Sequence, residues 1–189
     1  MQIQRGITLI ELILALAILA IISSIAIPGM ADFFKRYRYE SIRHHLFDLI
    51  ALGRGKAYGY GKIYTLCPRG VGDTCDSSWE QGAILFIDNN GDGSRDTDDV
   101  IERVLPALPN GASLTWNSFG NKNYLQYRPN GRTRSQSGNF SFCPPGDTAA
   151  NGWIIVLNAS GRPYFGKDRN GDGIVENGSG QNLTCTAGQ

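Results

Sequence analysis

The sequence predicts an α+β protein in which one long N-terminal helix leads into a domain of short antiparallel strands. Three observations predict it. An almost unbroken apolar run extends from Ile7 to Ile27, and apolar residues then recur at three- and four-residue steps as far as Ile50. Beyond a cluster of glycines, the pattern changes to short strands separated by turn residues. The 189 residues are too few for two large domains, yet enough for one real core behind the helix.

The apolar run is the first element. As a helix at ~1.5 Å per residue it would be ~30 Å long, enough to cross the hydrocarbon core of a bilayer. One acid, Glu11, lies inside it. A carboxylate there is costly unless a cation meets it. A plain anchor would not explain that acid. A secretory signal has a shorter apolar core, although Ser24-Ile25-Ala26 could pass for its cleavage site. A buried soluble helix would be less uniformly apolar.

The run Gly6-Ile7-Thr8-Leu9-Ile10-Glu11-Leu12 resembles the processing site of type IV prepilins and type II secretion pseudopilins. The resemblance implies a leader at 1–6, cut by a prepilin peptidase between Gly6 and Ile7, with methylation of the new N-terminus. Ile7 stands where the family usually has Phe. It implies that 7–27 anchors the precursor in the bacterial inner membrane, with the globular part in the periplasm. The same helix then packs in the core of an extracellular pilus or a periplasmic pseudopilus. Glu11 would set the register there, because a carboxylate and a neighbouring subunit's terminal amine attract strongly in low dielectric. Pro28 stands where the family carries a helix-bending proline. The implied partners are other pilin subunits, the peptidase, the inner-membrane assembly platform and, before assembly, the lipid bilayer.

The helix is expected to continue over 28–58. Phe33, Phe34, Tyr37, Ile42, Leu46, Leu49 and Ile50 form one apolar stripe, while Lys35, Arg36, Arg38 and Arg43 occupy much of the remaining surface. Gly53, Gly55, Gly59 and Gly61 mark where it should give out. His44 and His45 face different sides of this helix and carry no catalytic pattern.

Residues 59–189 read as the β-rich domain. Expected strands are Ile63–Cys67, Ala83–Asp88, Val100–Val104, Ser113–Trp116, Tyr124–Arg128, Asn139–Cys143 and Trp153–Leu157. Pro129-Asn130-Gly131-Arg132 is a hairpin-turn signal, and Asn158-Ala159-Ser160-Gly161-Arg162 echoes it. Helix and strand order together resemble the GspH/FimT-type subgroup of pilin-like proteins. That implies two small antiparallel sheets packed beside the helix.

Four cysteines suit an oxidising compartment and allow three pairings. Cys67 and Cys75 bracket a Pro/Gly-rich loop and are expected to close it. Cys143 and Cys185 would then tie the C-terminal tail to a strand, as in some minor pilins. No Cys-x-x-Cys pair exists, which argues against a cysteine metal site.

Charge is segregated along the chain. From Asp73 to Glu102 there are nine acids and one base, Arg95; from Arg103 to Lys167 there are seven bases and one acid, Asp147. The acidic part contains Asp88-Asn89-Asn90-Gly91-Asp92-Gly93, continuing to Asp96 and Asp99. Asp88, Asn90, Asp92, Asp96 and Asp99 fall at the oxygen-ligand positions of a calcium loop, with Asp99 replacing the usual Glu. Asp168-Arg169-Asn170-Gly171-Asp172-Gly173 repeats the opening of that pattern. The run can therefore hold Ca2+ or serve as a solvated acidic loop between strands, and no cofactor is required.

The basic part contains Gly131-Arg132-Thr133-Arg134, flanked by Arg128 and with Lys122 nearby. Two arginines at alternate positions of an extended strand point the same way, and guanidinium forks suit phosphate oxygens. The run matches a Gly-Arg-x-Arg motif of FimT-type minor pilins that is implicated in capturing double-stranded DNA during natural transformation. Gly161-Arg162-Pro163-Tyr164 keeps only the first half of it. The candidate DNA-binding residues are thus Lys122, Arg128, Arg132, Arg134 and Arg162.

No catalytic constellation is present: the sequence has no serine elbow, phosphate-cradling Gly-Lys-Ser loop or His-Glu metal helix. The expectation is a structural minor-pilin-like subunit, not an enzyme, with DNA capture compatible with that role. A type II secretion pseudopilin is the alternative, and a calcium-binding surface module without DNA binding the third.

Overall fold

The computed structural model of the protein describes residues 8–146 and 149–185, excepting the side chains of residues 25–29 and 31–32. The expected processing residues Gly6 and Ile7 lie outside that description. The chain forms two compact units, divided between Arg38 and Tyr39.

One helix, α1 (Leu9–Tyr60), runs through both. A capping box opens it. The Thr8 N–H donates to Glu11 Oε2 at 3.0 Å and its hydroxyl to the same oxygen at 3.1 Å, while the Glu11 N–H returns a bond to Thr8 Oγ1 at 3.3 Å. In the first unit the large apolar side chains of α1 are exposed, among them Leu9, Ile13, Leu16, Phe33 and Tyr37. Among the described residues no helix is long and apolar enough to cross a membrane. The expected span of 7–27 includes Ile7 and the side chains of 25–27, which are outside the described set. Helical backbone continues through Pro28.

In the second unit the stripe expected on α1 is realised from Ile42 onward: Leu46, Leu49, Ile50 and Ala57 are buried. Phe33, Phe34 and Tyr37, read into the same stripe, are instead exposed. Nor do the glycines at 53, 55 and 59 stop the helix, which ends only before Gly61. Gly53 is there for close approach. A Cβ at that position would lie 2.9 Å from Leu85 Cδ1, so the missing methyl lets the helix settle on the sheet.

The strands are β1 (Tyr64–Pro68), β2 (Ala83–Ile87), β3 (Val100–Leu105), β4 (Ser113–Ser118), β5 (Leu125–Tyr127), β6 (Gly138–Cys143), β7 (Trp153–Leu157) and β8 (Pro163–Phe165). They make two antiparallel four-stranded sheets, ordered β3-β2-β1-β5 and β4-β6-β7-β8. All seven expected strands form, with ends shifted by no more than a residue or two. The eighth, β8, was not expected: it has three residues, and its opening proline is tolerated at an edge.

Period-two alternation places Leu66, Leu85, Leu125, Tyr127, Phe140, Phe142, Trp153 and Ile155 in one core with the helix residues. Aromatic contacts organise it: Phe142 stacks on Trp153 with centroids 4.8 Å apart, Trp116 on Phe140 at 4.3 Å, and Trp79 meets Phe140 edge-on at 4.9 Å. The buried Trp153 indole donates to the Tyr39 carbonyl at 3.0 Å, satisfying its one polar atom. Disulfides join Cys67 to Cys75 and Cys143 to Cys185, as expected. The second anchors the C-terminal segment over the outer face of its sheet, where Leu183 packs with Ile154 and Val156.

Candidate functional site

The turn after β5 is closed by two backbone hydrogen bonds and one side-chain acceptor. The Gly131 N–H donates to the Arg128 carbonyl at 2.8 Å, the Arg128 N–H to the Arg132 carbonyl at 2.9 Å, and the Arg132 N–H to Asn130 Oδ1 at 3.0 Å. Arg54 on α1 donates through Nε to the Gly131 carbonyl at 3.0 Å and ties the turn to the helix. The turn between β7 and β8 has the same construction. The Gly161 N–H donates to the Asn158 carbonyl at 2.9 Å, and the Arg162 N–H to Asn158 Oδ1 at 2.9 Å.

These two Gly-Arg turns, alternatives in the sequence, are neighbours in space. The Tyr127 hydroxyl donates to the Gly161 carbonyl at 2.8 Å, and burial pushes the Tyr127 phenol well above its ordinary pKa. Gly161 has φ +76°, and a Cβ there would lie 2.9 Å from the Tyr127 ring and 3.0 Å from Thr133 Cγ2. Only glycine meets both conditions.

Beside the turns lies an open groove of about 520 Å³, lined by Arg128, Arg132, Asn130, Phe119, Thr133, Ser135 and Ser137, and by Ala159 from the second turn. Arg128 and Arg132 are both exposed in it. Arg134 is not with them: its Nη1 donates to the Gly91 carbonyl in the acidic loop, at 3.3 Å. The two arginines diverge because 131–135 is not an extended strand. Buried Gln136 stands in for a strand neighbour, accepting from the Gln126 N–H at 2.7 Å and donating to the Tyr124 carbonyl at 2.9 Å. Ser135 takes a positive φ of 63°. Lys122 is exposed on the β4–β5 loop with Nζ 6.0 Å from the Tyr124 ring centroid, and Arg162 is exposed on its turn outside the groove lining. Phe119 was missed by the sequence reading; its only signal was an aromatic among turn residues, Ser118-Phe119-Gly120-Asn121.

The two Asp-rich loops share one hydrogen-bond pattern. In the β2–β3 loop Asp88 accepts from the Gly91 and Gly93 N–H groups at 2.6 and 3.0 Å; in the later loop Asp168 accepts from Gly171 and Gly173 at 2.7 and 2.8 Å. A distal acid closes each. Asp99 accepts from the Asn89 N–H at 3.0 Å, and Glu176 from the Arg169 N–H at 2.8 Å. Asp88 is 1% exposed and also accepts from Thr65 and Gln126. Asp92 and Asp96 both accept from the Asn90 amide. The five expected calcium ligands are thus engaged by protein donors. Among the described residues no group of three or more His, Cys, Asp or Glu side chains is placed to hold a metal ion.

Comparison with known proteins agrees with this architecture. Residues 1–27 match the prokaryotic N-terminal methylation motif, and residues 44–161 match the family model of the Type II transport protein GspH. Among solved structures, the type IV minor pilin FimU of Pseudomonas aeruginosa PAO1 superposes with a TM-score of 0.53 at 13% identity, over 71% of this chain and 92% of that one. The minor pseudopilin EpsH of the Vibrio cholerae Type 2 Secretion System gives 0.51 at 12% identity, over 68% of this chain and 95% of the other. No curated protein matches the chain. The GspH model covers most of the sequence, including α1 from His44 and strands β1 to β7. The chain belongs to the GspH family.

Proposed function

We propose that the chain is a minor-pilin-like structural subunit, inserted in the inner membrane as a precursor, cleaved after Gly6, and assembled through its N-terminal helix into a type IV pilus. The observation that carries this reading is the methylation motif over residues 1–27, followed along one chain by a GspH-family match over residues 44–161. Glu11 is the assembly residue. In the isolated chain its carboxylate is held by Thr8, so it is already ordered at the helix start when a neighbour's amine arrives. The test is Glu11→Ala. Processing should stay intact while the variant fails to enter filaments; normal filament levels would sink the role.

A pseudopilin of a type II secretion system is the other reading with the same architecture, supported by the likeness to EpsH. Deleting the gene separates the two. Loss of pili and transformation supports the first, and loss of exoprotein release the second. DNA capture is compatible with the pilus reading and is favoured by the groove that carries Arg128 and Arg132 together. Phosphate contacts of this kind bind without reading sequence and weaken with salt.

A further inference from the structure

Phe119 gives the groove a second chemical character. It sits just past β4, on the loop to β5, and the residue is 73% exposed. Its backbone is held: the Phe119 N–H donates to the Ser137 carbonyl at 2.8 Å. The loop is braced further by the Asn121 N–H on the Ser118 carbonyl at 3.2 Å and the Ser118 hydroxyl on the Lys122 carbonyl at 3.0 Å. A lone exposed aromatic needs no explanation. This one lines the same groove as two exposed guanidinium groups, and it makes no ring contact among the described residues.

A cation pair and a free aromatic face suit different parts of one ligand. Guanidinium groups hold phosphates, and a flat apolar ring takes the face of a base. In a duplex the base faces are stacked on each other and out of reach. In a single strand they are free. The remaining polar residues of the lining, Ser135, Ser137 and Asn130, are uncharged.

We propose that this groove binds single-stranded DNA, with Arg128 and Arg132 on its phosphates and Phe119 stacked on a base. The inference rests on the DNA reading above and narrows it from a duplex to a strand with open bases. It also moves the site from the Arg132–Arg134 pair to Arg128, Arg132 and Phe119.

The experiment uses the full chain in neutral detergent and a labelled oligothymidine of about 12 nucleotides, within the usual site size of such grooves. A duplex of equal length is measured alongside, both by fluorescence anisotropy across a salt series. The single strand should bind more tightly than the duplex. Phe119→Ala should weaken single-strand binding by roughly 5- to 150-fold, the range of one lost base stack, and leave the salt slope unchanged. Arg132→Ala should reduce that slope by about 0.7, the value of one phosphate contact on a single strand. Phe119→Tyr, which keeps the ring, should bind like the parent. Equal or tighter duplex binding, or an unchanged affinity in Phe119→Ala, overturns the stacking inference and leaves the DNA reading standing. Absence of binding to either nucleic acid at low salt overturns both.

Discussion

Asp88 shows how a charged residue becomes part of a core. It is buried, yet each carboxylate oxygen is met by a neutral donor: Gly91 on one, and Gly93, Thr65 and Gln126 on the other. Replacing it by alanine leaves those donors without an acceptor, each at a cost of about 1–3 kcal/mol. Asp88→Ala should therefore lower unfolding stability by about 3 kcal/mol or more in urea titration. A loss under about 1 kcal/mol would mean that water replaces the carboxylate. Tyr127 makes a second residue-level statement. Its pKa is raised by burial, so the folded state holds the phenol proton that the unfolded chain gives up near pH ~10. That stability is intact below the ordinary phenol value and declines as pH rises toward the folded one. Tyr64, desolvated, and Lys56, held by Glu102, shift upward too and reinforce the alkaline loss. Tyr127→Phe should flatten the decline of the urea midpoint above pH ~10, at the expense of the bond to Gly161, about 1 kcal/mol at neutral pH. An unchanged alkaline slope would place the titration elsewhere.

At the level of elements, the second Gly-Arg turn and the C-terminal segment each contain an interaction whose removal can be read. Gly161→Ala forces a Cβ into the Tyr127 ring at a positive φ, so it should destabilise the domain by about 1–3 kcal/mol, visible as a lower thermal midpoint. The Cys143–Cys185 bridge joins residues 42 apart. Its removal by a double serine substitution should cost about 2–4 kcal/mol. Limited proteolysis should then cut first within 167–185, because little besides Leu183 and its neighbours holds that segment on the sheet. Cleavage elsewhere would show that the bridge supports the whole domain. Lys56 on α1 pairs with Glu102 on β3, and the Tyr64 hydroxyl reaches the same carboxylate at 3.4 Å, so the helix is pinned to that edge strand by charge as well as packing.

At the scale of the molecule, the unit from Tyr39 onward carries its own core, both disulfides and both sheets. A fragment starting at Asp32 should therefore unfold in one cooperative step with coincident fluorescence and circular-dichroism transitions. A fragment starting at Leu46 should be markedly less stable. It lacks the Tyr39 carbonyl that accepts from Trp153, the Tyr39 ring on Phe142 and the packing of Ile42. Equal midpoints for the two fragments would show that α1 before Leu46 adds nothing to the fold. Charge separated along the sequence is also joined at this scale, since Arg134 of the basic stretch reaches the acidic loop at Gly91.

The secondary-structure elements were legible along the chain. A long helix, seven of eight strands and the turns at Asn130-Gly131 and Ser160-Gly161 follow from local periodicity and from residues that set their own backbone. These are short-range effects, which survive any tertiary arrangement. The processing motif was legible for the same reason, being one contiguous run. Which side chains share a surface depends instead on contacts between distant segments. Gln136, ten residues from Gln126 in sequence, takes that residue's N–H and turns the chain out of a strand, so Arg132 enters the groove while Arg134 leaves it. Phe119 and Ala159 reach the same groove from other loops. The acidic loop has the spacing of a metal loop along the chain. That its first acid, Asp88, is also tied to Thr65 of β1 and Gln126 of β5 is something no spacing along the chain records.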